Sequence, residues 1–488
     1  VENVENVENV AGATVAGVAG TAIAGRDRAK ATATVAGSAT AIRIVPAEPL
    51  VQTTDGASAE HTPVTLEHKL TTLESGVRIA TEAMPSVRSV SLGFWIGTGS
   101  RGESDAQAGL SHLIEHLLFK GSSKYASLEI DQIFDRMGAE LNAGTGKETT
   151  SVYARVIDEH VPKAFDVMAD MVFRPSLDDI DSERAVILEE IAMYEDDPQE
   201  KVFDVLGEAI FGTHPLGRAI IGRASVIADT PATEIASFHG QRYTPANVVI
   251  AAAGAVEHEA IVELARGLTP AANGPARLVA STAPVPAPHG RRFERKDTEQ
   301  FHVCVGGLGL SRHDDRRFAL RVLDTIFGGT SSSRLFQQVR EQRGLAYAVY
   351  SFTSAYQDGG QVGLYIGTRT DNLGEALGVV GRELERLVAQ PATAEELARA
   401  KDNLKGRVLL GLESTGSRMN RLGSELLAGA PLLSLDEVVQ QIDAVTLDDL
   451  RELAEQLWSP ARLSFAGIGP DEEAFTAAVD AVTLAEAA

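Results

Sequence analysis

The chain has 488 residues, 44% of them hydrophobic, and a formal net charge of −24. That length supports two or more domains with a sizeable core, and the charge argues against nucleic acid or an anionic membrane surface as a general partner. The single cysteine, Cys304 in the apolar run Phe301–Val305, excludes an internal disulfide framework and reads as a small buried hydrophobe, so a metal site would draw on histidines and carboxylates. A reducing, cytoplasmic setting is expected. No run of eighteen apolar residues occurs, so no transmembrane helix is expected.

Val-Glu-Asn is repeated three times from Val1, and an Ala/Gly/Val/Thr-rich tract follows to about Pro46. The acidic start and the interruption by Arg26, Asp27, Arg28 and Lys30 match neither a signal peptide nor a transit peptide. Residues 1–62 are expected to be a flexible low-complexity extension, with too few large side chains to pack a core. The folded part should begin near Thr65, with strands over 64–70 and 77–81 joined at Glu74-Ser75-Gly76. A buried strand over 90–96 follows, then an acidic loop and a helix over about 109–119. Next come a helix over 128–137 closed by Gly138, strands over 141–145 and 150–156, and an amphipathic helix over 161–172. A long helix over 180–196, a helical segment over 202–211 and a closing strand over 248–254 complete this half.

Residues 268–290 are rich in Pro, Ala and Gly and read as a linker. Beyond it the order restarts: a strand over 301–307, a helix over 317–327, a strand over 360–368, a helix over 373–387, a long helix after Pro391 and a strand over 462–467. This restart predicts an internal duplication into two α/β domains, 63–267 and 291–488. Only the first contains His112-Leu113-Ile114-Glu115-His116, so the second is expected to serve substrate binding or closure.

On a helix, residues three and four apart share a face. His112, Glu115 and His116 then point one way, which suits two imidazoles on one metal ion with a carboxylate beside them. The bland alternative is a solvated helix face. The pattern is the zinc-peptidase H-E-x-x-H read backwards. Catalytic zinc sites usually have three protein ligands. The long helix of the same half offers Glu190 and the adjacent Glu189, about 100° apart; only one can face the metal, and helix geometry does not choose.

The set resembles the inverzincin metallopeptidases: pitrilysin, the insulin-degrading enzymes and, closest in size, the bacterial processing-peptidase-like proteases. The resemblance rests on His112-x-x-Glu115-His116, on Glu190 standing 74 positions after His116, and on Glu183 seven positions before Glu190. It covers about residues 64–470. It implies one Zn²⁺ per chain held by His112, His116 and Glu190, and Glu115 as general base for the attacking water. Glu183 would orient a histidine or the water; its alternative is an exposed helix glutamate. Arg340 and Tyr347 match the family's substrate-binding Arg and Tyr, suited to a substrate carbonyl and a developing oxyanion; Arg343 and Tyr350 are neighbours of the same type. Asn142, Ala143, Gly144 and Thr145 resemble the family's edge strand, on which a substrate adds as a further strand. The Gly/Ser-rich run 327–335 lacks the Gly-Lys-Ser/Thr of a phosphate cradle, so nucleotide binding is rejected.

The implied fold is α/β (α+β), with each half a mixed, mostly antiparallel sheet covered by helices on one side. The implied activity is zinc-dependent endopeptidase action on peptides or unfolded segments inside a closed clamshell chamber. Because larger relatives use four such domains and this chain has two, the resemblance implies a homodimer in which Arg340 and Tyr347 complete the site of the other copy. The rival readings are a non-catalytic assembly or chaperone-like subunit of the same fold, and a peptide-binding protein that keeps the metal for stability.

Overall fold

The computed structural model describes residues 68–270, 282–285 and 290–484. The expected extension over 1–62, the start of the first strand and most of the expected linker lie outside them. Two sheets organise the rest. The first contains β1 (His68–Thr72), β2 (Arg78–Ala83), β3 (Ser89–Ile96), β4 (Glu140–Thr145), β5 (Thr150–Ile157) and β6 (Val248–Gly254), in the order β1-β2-β6-β3-β5-β4. The second contains β7 (Arg291–Arg295), β8 (Gln300–Gly309), β9 (Ala346–Ala355), β10 (Gly360–Arg369) and β11 (Ser464–Gly469), in the order β7-β11-β8-β10-β9. The β2–β6 and β7–β11 pairs are parallel, and every other pair is antiparallel. The order β2-β6-β3-β5-β4 maps strand for strand onto β7-β11-β8-β10-β9, with the same directions. The two halves share one topology.

The first half carries α1 (Leu110–Leu118), α2 (Ser127–Met137), α3 (Val161–Phe173), α4 (Ile180–Asp196), α5 (Pro198–Phe211), α6 (Ala224–Asp229), α7 (Ala232–Arg242) and α8 (His258–Arg266). The second carries α9 (Arg317–Phe327), α10 (Leu373–Ala389), α11 (Ala394–Gly411), α12 (Thr415–Ala428), α13 (Leu435–Ala444), α14 (Leu447–Leu457) and α15 (Glu472–Leu484). Among the described residues no helix is long and apolar enough to cross a membrane.

Alternation decides the faces of β3. Val90, Leu92, Phe94 and Ile96 enter the main core of the first half with Leu113, Leu117, Phe165 and Phe173. The opposite face is covered too, which differs from the one-sided sheet expected from sequence. Its cover comes from the other half. Met419 and Leu422 of α12 pack on Ala80, Ala251 and Ala253, with Trp95 against them. Alanines and Gly93 keep this face low, so the helix lies close to the strands. Buried Glu82 of β2 accepts from Arg421 Nη2 at 2.8 Å and from Arg418 Nη1, pairing its charge inside the contact. The exchange is reciprocal: α5 of the first half packs on β8 and β11, where Val205, Leu206 and Ile210 meet Cys304, Tyr365 and Ala466.

Candidate metal centre

The motif helix α1 starts at Gly109, whose φ of 101° suits a residue without a Cβ. Its first turn leaves N–H groups without helical partners. Glu103, from the acidic loop before it, fills that need: its carboxylate accepts from Gly109 N–H at 2.9 Å and Ser111 N–H at 2.7 Å. An anion there also opposes the positive end of the helix dipole. Burial pushes the Glu103 carboxyl up to about 7, with the two N–H bonds and the nearby Arg218 opposing the rise. Leu113, Ile114, Leu117 and Leu118 bury the other side of α1, which fixes the rotation of the helix and aims the motif at α4 and β4.

His112 Nε2 lies 3.8 Å from Glu190 Oε1, and His116 Nε2 lies 3.6 Å from Glu190 Oε2. The ligating atoms of all three residues fall within 4.8 Å of one another. These separations exceed a hydrogen bond. A tetrahedral centre with bonds of about 2.1 Å separates its ligands by about 3.4 Å, so the donor set fits Zn²⁺. Burial, and then the neighbouring His116, holds the His112 imidazole down to about 3, in the neutral form that ligates a metal. Its Nδ1 is buried without a hydrogen-bond partner. His116 is oriented differently: its Nδ1 faces Glu183 Oε2 at 3.4 Å, which leaves Nε2 toward Glu190. Glu183 is buried rather than an exposed helix glutamate. Glu189 is exposed, so of the adjacent pair it is Glu190 that joins the histidines.

Glu115 shares the face of the two histidines. Its Oε2 accepts from Thr145 Oγ1 at 2.5 Å. Burial raises its carboxyl above the usual range, the Thr145 hydroxyl opposes that rise, and the charges of His116 and Glu190 act on it too. Burial likewise raises Glu190, against the pull of His116. Thr145 closes β4, an edge strand with β5 on one side and no strand on the other among the described residues. Asn142, Ala143 and Gly144 lie along that edge, and the Asn142 side chain accepts from Ala143 N–H at 2.8 Å.

Arg340 and Tyr347 come together within their own segment. Arg340 Nη1 donates to Tyr347 O at 3.0 Å, and its guanidinium lies 4.3 Å from the centre of the Tyr347 ring and 4.7 Å from that of Phe336. Tyr347 is 79% exposed, open to a partner from outside its segment. Arg343 bonds back to Gln338, and Tyr350 packs against Tyr365. Two residues that matter here escaped sequence reading. Glu103 sat in a loop read only as acidic, and Lys120, 2.8 Å from Glu183 Oε1, sat just past the motif; its spacing from His116 was the available signal.

Residues 78–224 match the family described as Insulinase (Peptidase family M16), and residues 231–404 match the Peptidase M16 inactive domain. A Streptomyces coelicolor protein named an uncharacterized zinc protease is 42% identical over 414 residues, spanning 82% of this chain and 89% of the relative. The chain belongs to peptidase family M16. A Bacillus subtilis M16 relative, also named an uncharacterized zinc protease, is 41% identical over 392 residues, 80% of this chain and 95% of its own length. Two crystal structures share the M16 fold: a peptidase M16 inactive domain from Pseudomonas fluorescens (TM-score 0.78, 23% identity, 83% of this chain and 99% of that one), and a protease from Helicobacter pylori (TM-score 0.76, 21% identity, 83% and 100%). The match to the inactive domain takes in β7–β10 and the helices α9 and α10 of the half without the H-x-x-E-H motif, and also α7, β6 and α8 of the half that carries it.

Proposed function

We propose that this chain is a zinc-dependent endopeptidase that hydrolyses peptides or unfolded polypeptide segments. The observation that carries the reading is the convergence of His112, His116 and Glu190 within 4.8 Å, with the Glu115 carboxylate held on the same helix face by Thr145. The names of the M16 relatives agree with it.

His112, His116 and Glu190 would hold Zn²⁺, which would supply Lewis acidity at a peptide carbonyl and lower the pKa of water toward about 7. The protein's own groups do the rest. Glu115 takes the proton of the attacking water on its carboxylate and delivers it to the leaving amine. Thr145 keeps that carboxylate turned toward the site. The open edge of β4 pairs with an extended substrate through main-chain hydrogen bonds, which tolerates varied side chains.

Arg340 and Tyr347 make their contacts within their own segment. We propose further that the chain forms a homodimer in which each copy offers the pair to the other's metal centre, inside a chamber that admits unfolded chain. The experiment is a peptide-library cleavage screen with and without chelator, alongside metal analysis. The wild type should carry about one zinc per chain and cleave only without chelator. Glu115→Gln should keep the zinc and lose turnover; retained turnover refutes the base assignment. A zinc content near zero would favour the non-catalytic subunit instead.

A further inference from the structure

Lys120 lies two residues beyond the end of α1. The chain turns there: Phe119 N–H and Lys120 N–H close on the carbonyls of His116 and Leu117, and Gly121 follows with φ at 117°. The Lys120 ammonium stands 2.8 Å from Glu183 Oε1. The other oxygen of that carboxylate, Oε2, stands 3.4 Å from His116 Nδ1. His116 Nε2 in turn faces Glu190. Glu183 is 3% exposed, and Lys120 and His116 are the partners of its carboxylate among the described residues. Among the described residues Lys120 makes no other ion pair.

We propose that Lys120 is a positioning residue of the metal centre, acting through Glu183 on His116. The inference rests on the zinc reading above. A carboxylate buried with one partner removed is strongly disfavoured, so Glu183 keeps its place only while Lys120 compensates one oxygen. The other oxygen then stays on His116 Nδ1, which holds the ring and leaves Nε2 for the metal. Such partners of a ligating histidine are worth about 10- to 100-fold in metal affinity or activity. Lys120 also suits the end of α1, where a cation opposes the dipole, but that role alone would leave metal affinity unchanged.

The test measures Zn²⁺ affinity of the full chain by competition with a chromophoric chelator, with kcat and KM taken separately. Lys120→Met should weaken zinc binding about 10- to 100-fold and lower kcat while moving KM little. Lys120→Arg, which keeps the charge, should restore most of the affinity. Glu183→Gln should lose a similar amount, and the double variant should be no weaker than Glu183→Gln alone, because the two residues act as one unit. Unchanged zinc affinity in Lys120→Met, or single losses that multiply in the double variant, overturns the proposal. A wild type that binds no zinc overturns the metal centre itself. The Lys120 side chain is one-third exposed (33%), so the substitution leaves the core intact; Lys120→Gln gives the same reading if methionine is not accepted.

Discussion

Replacing Thr145 with valine keeps the shape of the side chain and deletes one hydroxyl. That hydroxyl donates to Glu115 Oε2 at 2.5 Å, a short bond to an ionisable carboxylate. Hydrogen bonds to charged groups are worth about 1.5–3 kcal/mol, and 1.36 kcal/mol corresponds to one pH unit of titration. The bond favours the ionised form, so its loss raises the Glu115 carboxyl further in the direction burial already takes it. A base must be ionised to accept a proton. The acid limb of kcat/KM against pH should therefore move up by about one to two pH units. With a fluorogenic peptide, Thr145→Val should be slowed about 10- to 100-fold on the acid side and progressively less toward alkaline pH. Thr145→Ser retains the hydroxyl and should hold the limb in place. A uniform loss at every pH, or a serine variant that behaves like valine, refutes the reasoning.

Two further outcomes follow from packing and burial. Glu103 holds its proton up to about 7 in the folded chain, against an ordinary value of 4.5. Between those values the folded state binds more protons than the unfolded one, so this group's contribution to stability falls as pH rises. Glu103→Gln should remove that slope, and its melting temperature relative to wild type should improve from pH 5 to pH 8; a difference independent of pH would contradict the burial argument. Gly423 of α12 lies against Trp95, where an added Cβ would stand 2.1 Å from the indole Nε1. Gly423→Val should cost about 1–3 kcal/mol of stability, read as a lower urea midpoint, without changing zinc content; an unchanged midpoint would show that α12 does not lie this close.

Much of this was legible along the chain because local pattern and final environment agree. Val90 to Ile96 alternates and becomes β3, while the wholly apolar run 248–254 becomes a strand buried on both faces. The motif was readable because helical spacing converts directly into a shared face, whereas Glu190 and Glu183 were picked out by the resemblance to a known family. Edge strand β7, Arg-Arg-Phe-Glu-Arg, carries one apolar residue and shows no period to find. Helix α12 has its apolar positions interrupted by glycine and arginine, because its partner is a low alanine surface more than 150 residues away in sequence. Glu103 was hidden for the same reason. Nothing in its neighbours says that a loop carboxylate will be buried under the first turn of α1. The choice between Glu189 and Glu190 also needed the packing of Ile187 and Ile191, which sets the rotation of α4.

The crossing of α5 and α12 gives the duplicated chain a property that two tandem domains would lack. Each sheet wears a helix made by its twin, so neither half can be cut free with a finished surface. Severed between the sheets, the first would bare Ala80, Ala251 and Ala253 and strand Glu82 without its arginines; the second would bare Tyr365 and Ala466. The pair should therefore melt as one cooperative unit. A hinge placed between the sheets would have to peel off both clasps at once.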